Sequence, residues 1–244
     1  MKILVIDIGN TSTSLGVYSN KGITKSLKVL NPNDKKIKIY LDSLNIDTVA
    51  IASVVPIYND LWTKKLSEAN FQNIFWINHH LHIGVDINYP SPYEIGSDRL
   101  ANAAAAAKWI GLPSIVCDFG TALTFDVIDQ NKGYIGGIIC PGPELMLNYL
   151  YEKTALLPNI KLKSCNENIG DSTSKAMYIG TRNGFKGMVL EIINGIKKDL
   201  NVRRLKLCAT GGNAQWFLKN SNIKMEYMKH LTLLGIGYIY ELNN

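Results

Sequence analysis

A short phrase that occurs twice constrains this chain more than any other feature. Residues 3–13 read ILVIDIGNTST and residues 114–124 read SIVCDFGTALT. In each copy an apolar run ends in Asp, one large apolar residue and Gly, with a Thr six places after the Asp. Asp7/Asp118, Gly9/Gly120 and Thr13/Thr124 are each separated by 111 positions in a 244-residue chain. A near-half-length spacing predicts two related halves, each presenting a carboxylate and a glycine turn to one shared ligand.

The physical content of the phrase is a strand followed by a turn. Four or five apolar residues without alternation predict a strand covered on both faces, with the Asp where the sheet meets solvent. Gly9 and Gly120 are expected to turn with positive φ and bring backbone N–H groups close to a phosphate. Asn10, Thr11, Thr13, Thr121 and Thr124 add amide and hydroxyl groups. The run LGVYS after the first turn alternates again, which predicts strand–turn–strand. Neither copy carries G-x-x-x-x-G-K-[ST] or G-x-G-x-x-G, so this is not a P-loop. Carboxylates here suit magnesium-nucleotide chemistry, since Mg²⁺ takes one or two carboxylates beside waters and phosphate oxygens. The alternative is a plain β-turn with an Asx cap, which does not account for the apolar lead-in shared by both copies.

Composition bounds the class. Apolar residues make up 46% and charged residues 19%, the balance of an ordinary globular chain. No apolar run approaches a membrane span. The chain opens directly on a strand pattern, so no signal peptide is expected. Cys117, Cys140, Cys165 and Cys208 are scattered with no C-x-x-C pair, the pattern of reduced thiols in a cytoplasm. The net charge of +6 comes mostly from dispersed lysines, with short clusters at KKIK (35–38) and RRLK (203–206). Without a stacking-aromatic and arginine motif this describes solvated faces rather than a nucleic-acid surface. His79, His80 and His82 have no acidic or cysteine partner nearby and are not read as a metal site.

Strands are predicted at 2–8, 13–19, 23–29, 48–54, 74–77, 114–119, 123–129, 133–139 and 205–209. Helices are predicted at LDSL (41–44), 58–70, 143–151, 172–199, 212–219 and 229–242. Hairpin openings followed by helices imply two α/β halves with mixed sheets, divided near Gly111-Leu112-Pro113. A further helix is expected in GSDRLANAAAAAKWIG (96–111), where five alanines permit close approach of a neighbour. Ser97 is its expected N-cap, which puts Asp98 and Arg99 in the first turn. The helix dipole favours the acid there and disfavours the arginine. Arg99 is one of four arginines, and a cation at the unfavourable end points either to a ligand or to a surface ion pair. In the segment 171–200, Ala176, Gly180, Gly184 and Gly187 fall near one helix face. Close contact with another helix, in a two-fold dimer or inside one subunit, would offset their poor helix propensity.

Six ordered motifs carry a resemblance: DIGNTSTSLG (7–16), ASVVP (52–56), SPYEIGSDRLANAAAA (91–106), DFGTALTFDVI (118–128), GGIICPG (136–142) and TGGNA (210–214). Together they cover nearly the whole chain, and the chain resembles the type III pantothenate kinases of the sugar kinase/Hsp70/actin superfamily. The resemblance implies two related actin-like, ribonuclease H-like α/β domains with mixed sheets flanked by helices, at 1–112 and 113–244. It implies ATP-dependent phosphorylation of pantothenate to 4′-phosphopantothenate, the first step of coenzyme A biosynthesis, by a cytoplasmic homodimer. By motif, Asp7, Ile8, Gly9, Asn10, Thr11, Ser12, Thr13 and Ser14 form the ATP phosphate loop, with Asp7 near the Mg²⁺-nucleotide, and Thr121 contacts ATP. Asp98 is the implied general base. Tyr89, Gly96, Ser97, Asp98 and Arg99 bind pantothenate, Arg99 at its carboxylate end, with Tyr93 as the other tyrosine near the substrate. Thr173 reaches pantothenate from the partner subunit. Asp118 holds a monovalent cation, K⁺ or NH₄⁺. Neither nucleic acid nor membrane is an implied partner. Two other functions are open to such a chain: a sugar kinase of the same superfamily, and a regulatory binding protein without catalysis.

Overall fold

The computed structural model describes residues 1–244. In chain order its elements are β1 (Lys2–Ile8), β2 (Thr13–Ser19), β3 (Gly22–Val29), α1 (Lys35–Asp42), β4 (Thr48–Ser53), α2 (Asn59–Glu68), β5 (Asn73–Trp76), α3 (Ser97–Ala105), β6 (Ser114–Phe119), β7 (Ala122–Asp129), β8 (Gly133–Pro141), α4 (Pro143–Lys153), α5 (Thr173–Asp199), β9 (Lys206–Thr210), α6 (Ala214–Ser221), β10 (Glu226–Tyr227) and α7 (Leu231–Asn243). They build two five-stranded sheets, ordered β3-β2-β1-β4-β5 and β8-β7-β6-β9-β10. The two orders are the same order. The strand of each repeated phrase is central in its sheet, with its hairpin partner on one side and a parallel strand on the other: β4 beside β1, β9 beside β6. The repeat in the sequence is therefore a duplication of topology.

Cα proximity divides the chain into two compact units, Met1–Leu112 with Asp126–Gly136 and His230–Asn244, and Pro113–Phe125 with Gly137–Lys229. In the first unit β1 is buried at every position except Lys2 and the half-buried Asp7. Its even positions, Leu4, Ile6 and Ile8, join Ile37 and Leu41 of α1 and Trp62 and Leu66 of α2 in one core. Side chains alternate across a sheet, so Ile3 and Val5 face the other layer, where α3 and α7 pack. Helix α1 begins earlier than LDSL: Asp34 caps it by accepting from the Lys36 N–H at 2.9 Å, and the lysines of KKIK are its exposed face. The short β10 was not legible in the pattern, because two residues carry no periodicity.

The alanine run does what its composition suggested. Ala103, Ala104, Ala105 and Ala106 are buried, and α7 lies so close that a β-carbon at Gly235 would strike the Ala101 carbonyl. Asn102, buried in the same face, accepts a 2.8 Å hydrogen bond from the Thr232 hydroxyl. The helix then widens into a π turn at Ala106–Ile110 and ends at Gly111, φ +84°. In the second unit Phe119, Phe185 and Phe217 form the aromatic centre, with Phe119 and Phe217 stacked at 4.5 Å. All four cysteines are free thiols.

Candidate functional site

In each unit the repeated phrase runs to the carboxyl end of the central strand, β1 or β6, where open α/β sheets bind ligands. In the first unit Asp7 lies opposite Ser14 on β2 and Ala52 on β4, one residue before the strand ends. The Gly9 N–H turns back to the Ser12 carbonyl at 3.1 Å. In the second unit the Gly120 N–H turns back to Ala122 at the same 3.1 Å, so this turn is one residue tighter. Neither glycine has a positive φ, contrary to expectation. The reason for glycine is closeness instead: a β-carbon at Gly9 would lie 3.1 Å from the Ser12 carbonyl oxygen, and one at Gly120 3.3 Å from that of Ala122.

Helix α3 is brought to the Asp7 end by a serine pair. The Ser97 hydroxyl accepts from the Ser53 N–H at 2.8 Å and donates to the Ser53 carbonyl at 3.0 Å, tying the start of α3 to the end of β4. Ser97 is therefore not the N-cap; that position is Gly96, which has no side chain to cap with. Asp98 and Arg99 do lie in the first turn. Asp98 Oδ1 accepts the Arg99 N–H at 2.8 Å. Burial pushes the Asp98 carboxyl above its usual range, against the pull of the Arg99 N–H and of the Arg99 charge.

Arg99 is not on the surface. Its Nε donates to Asp126 Oδ1 at 2.6 Å, and the Asp126 side chain is 0% exposed. Burial, the largest influence, would weaken Arg99's hold on its proton; the Asp126 carboxylate, together with Tyr134 and the Asp98 charge, more than offsets this and leaves the guanidinium charged. The Tyr134 hydroxyl donates to the same Asp126 oxygen at 3.2 Å, and Arg99 Cζ lies 5.9 Å from the Tyr134 ring centre. Burial, followed by the Asp126 charge, raises the Tyr134 hydroxyl far beyond titration. Asp126 and Tyr134 were not singled out in the sequence. The available signal was an acid inside the apolar strand run TFDVI, a place where a carboxylate needs a partner. Tyr89 rests edge-on against Tyr134 at 6.3 Å, whereas Tyr93 is 71% exposed.

The second unit gathers three glycine turns, Gly120, Gly142 and Gly211, around the second copy of the phrase. Gly211, at φ +92°, stands where a β-carbon would collide with Asp118 Oδ1 and with the Phe119 backbone. The Gly142 N–H donates to the Thr121 carbonyl at 2.9 Å, and the Asn213 N–H to Phe119 at 2.9 Å. GGIICPG and TGGNA thus both abut the second copy of the phrase, and the strand-to-helix turn at TGGNA is shaped by Asp118. The Cys208 thiol, one strand over, is pushed up to about 12 by burial, with Glu226 and Asp118 adding their charges. No group of three or more His, Cys, Asp or Glu residues is placed to hold a metal unaided. Single carboxylates at Asp7 and Asp118 fit cations that take most of their oxygens from a nucleotide, water or backbone.

Helix α5 opens with Thr173, exposed, and buries Met177, Thr181, Phe185, Val189 and Ile193. Its glycines 180, 184 and 187 are exposed with nothing within 4 Å of a built β-carbon, so they do not serve packing inside one subunit. Beside them, Leu145, Met146, Tyr149 and Leu150 of α4 line an apolar hollow of about 730 Å³ with Thr173 and Met177.

Comparison with known proteins gives one consistent result. Residues 3–195 match the family model for type III pantothenate kinase. Type III pantothenate kinase from Methylacidiphilum infernorum is 33% identical over 243 residues, spanning 98% of this chain and 88% of its own. That from a Sulfurihydrogenibium species is 32% identical over 249 residues, 97% of this chain and 98% of its own. Among solved structures, a Campylobacter jejuni protein described as a Baf family transcriptional activator superposes with TM-score 0.63 at 20% identity, over 98% of this chain and 97% of its own. The last comparison speaks to fold alone.

Proposed function

This chain belongs to the type III pantothenate kinases, which phosphorylate pantothenate in coenzyme A biosynthesis, and on that premise we propose how its residues divide the reaction. Phosphoryl transfer needs alignment and charge neutralisation more than covalent help from the protein. The loop Asp7–Ser14 takes the ATP phosphates through backbone N–H and hydroxyl groups, with Asp7 beside the nucleotide's Mg²⁺ and Thr121 as an ATP contact. Magnesium, when bound, supplies neutralisation of phosphate charge. Asp118 holds a monovalent cation at the second turn.

Asp98 accepts the proton of the pantothenate hydroxyl. The observation that carries this reading is its place: a half-buried carboxylate at a helix start, raised in pKa, on the element that Ser97 ties to the end of β4. A base with a raised pKa holds the proton it accepts better than an ordinary carboxylate would. Arg99 faces the substrate carboxylate, with Gly96, Ser97 and Tyr89 completing the pocket. Ser97 acts by position, since its hydroxyl is committed to Ser53. Tyr89, half-buried against Tyr134, suits a pocket wall better than the exposed Tyr93.

The enzyme works as a cytoplasmic homodimer. The open glycine stripe of α5 and the apolar hollow beside Thr173 support a self-association face there, with Thr173 reaching the partner's pantothenate. No helix is long and apolar enough to cross a membrane. A coupled ADP-release assay tests the reading: pantothenate should be turned over and hexoses should not, and activity should fall when K⁺ and NH₄⁺ are withheld. Hexose turnover without pantothenate turnover would overturn the substrate, and indifference to both cations would remove the role of Asp118.

A further inference from the structure

We propose that Asp126 is a positioning residue for substrate recognition: as a buried carboxylate it fixes the Arg99 guanidinium by its Nε, with Tyr134 as the brace that holds Asp126. The inference rests on the reading of Arg99 as the group that faces the substrate carboxylate.

Both members of the pair sit where stability alone would not put them. Asp126 is fully buried inside β7, between the buried Phe125 and Val127. Arg99 is in the first turn of α3, where the helix dipole opposes a cation. A buried ion pair adds little net stability, because desolvation offsets most of its attraction. Its geometric effect is large. A guanidinium is planar and conjugated, so a 2.6 Å bond at Nε fixes the plane and the direction in which the terminal amino groups point.

Tyr134 supplies the second constraint. Its hydroxyl donates to the same Asp126 oxygen and its ring lies beside the Arg99 cation. Tyr134 is itself anchored through its backbone: its N–H donates to the Asp86 carbonyl and its carbonyl accepts from Asn88, both at 2.8 Å. Gly133, at φ +72°, permits this close approach, because a β-carbon there would strike the Asp86 backbone. Asp86 and Asn88 lead directly into Tyr89, which packs on the Tyr134 ring. One fixed tyrosine therefore registers two proposed substrate groups, Arg99 through Asp126 and Tyr89 by contact. Asp98 is the other charge acting on Arg99.

The test is binding, measured by calorimetry with a non-hydrolysable ATP analogue present, of pantothenate and of pantothenol, its neutral alcohol analogue. Asp126→Asn should weaken pantothenate roughly tenfold or more while changing pantothenol less than about twofold, since only the carboxylate needs the oriented cation. Asp126→Glu, which keeps the charge, should recover part of the preference. Tyr134→Phe, which removes one hydroxyl at constant shape, should lower the preference by roughly twofold to fivefold. A merely structural role would lower thermal stability and leave the preference for the carboxylate intact, and that result in Asp126→Asn overturns the proposal. If Asp126→Asn does not fold, an unchanged preference in Tyr134→Phe overturns it. Arg99→Met separates the two levels. Loss of the preference there but not in Asp126→Asn sinks only the present inference, whereas its retention in Arg99→Met sinks the reading of Arg99 itself.

Discussion

Replacing Gly235 by alanine should loosen the helix that carries the proposed base. A β-carbon on Gly235 would fall onto the Ala101 carbonyl oxygen, 2.5 Å from its carbon and 3.0 Å from the Ala101 Cα. These are backbone atoms of a helix and cannot swing aside, so α3 and α7 must part by roughly 1 Å to restore ordinary contact. Overpacking of this kind costs about 1–3 kcal/mol. Alanine returns at most about 1 kcal/mol through its helix propensity. Because the clash is with fixed helix backbone, the upper part of the overpacking range, about 2–3 kcal/mol, applies, so the net loss is about 1–2 kcal/mol, equivalent to a fall in Tm of roughly 2–8 °C for a chain of this size. Ala101 lies one turn below Ser97, so the shift is passed to Asp98 and Arg99. A displacement near 1 Å can lower a rate by about 100-fold, so kcat/KM should fall by at least tenfold. Thermal unfolding and steady-state ADP release measure the two effects. Gly195→Ala is the control, because nothing lies within 4 Å of its β-carbon position. A Gly235→Ala enzyme with unchanged Tm and near-normal kcat/KM would refute the close-packing argument.

Asp98→Asn should lower kcat by about 10²–10⁴-fold with ATP binding retained, and a near-normal rate would remove Asp98 as the base. The same substitution should stabilise the fold at neutral pH. The folded carboxyl has a raised pKa, so the wild-type protein loses stability as pH rises from the ordinary carboxylate range through that raised value; the variant, having no such group, should gain on wild type across that window and show no advantage below it. Wild-type turnover should fall on the acid side with an apparent pKa above that of an ordinary carboxylate, as a pH–kcat profile will show. Gly184→Ala should weaken the dimer in sedimentation experiments if α5 is the subunit contact. If instead it only raises Tm, by the propensity gain of up to about 1 kcal/mol, with assembly unchanged, α5 faces water.

Much of the architecture was legible because it rests on local periodicity. The apolar runs of β1 and β6, the helical stripe of α2 and the long α5 each announce themselves within a dozen residues. The duplication was legible too, since two turns of the same chemistry stood at equal depth behind two buried strands. The identity of the strand neighbours was not, because β4 and β9 join their sheets through long crossovers. Turn details failed for a related reason. Glycine at 9 and 120 predicted positive φ, but the residue was needed for close backbone approach, and composition does not distinguish the two. Ser97 had the right chemistry for an N-cap, yet its hydroxyl bonds a residue 44 positions away. Arg99 was conspicuous as a cation at the wrong end of a helix, but nothing near it in sequence named its partner.

The sequence by itself determined most of the elements, the repeated carboxylate-glycine turn and the family, because these depend on patterns within short windows and on motifs in fixed order. Only the tertiary structure decided that Ser97 fastens α3 to β4, that Gly211 makes room for Asp118, and that the glycines of α5 face outward. It also decided that Arg99 belongs to Asp126. Those two residues are 27 positions apart on a helix and a strand, and a charge finds its partner through space, at a distance set by how the layers pack.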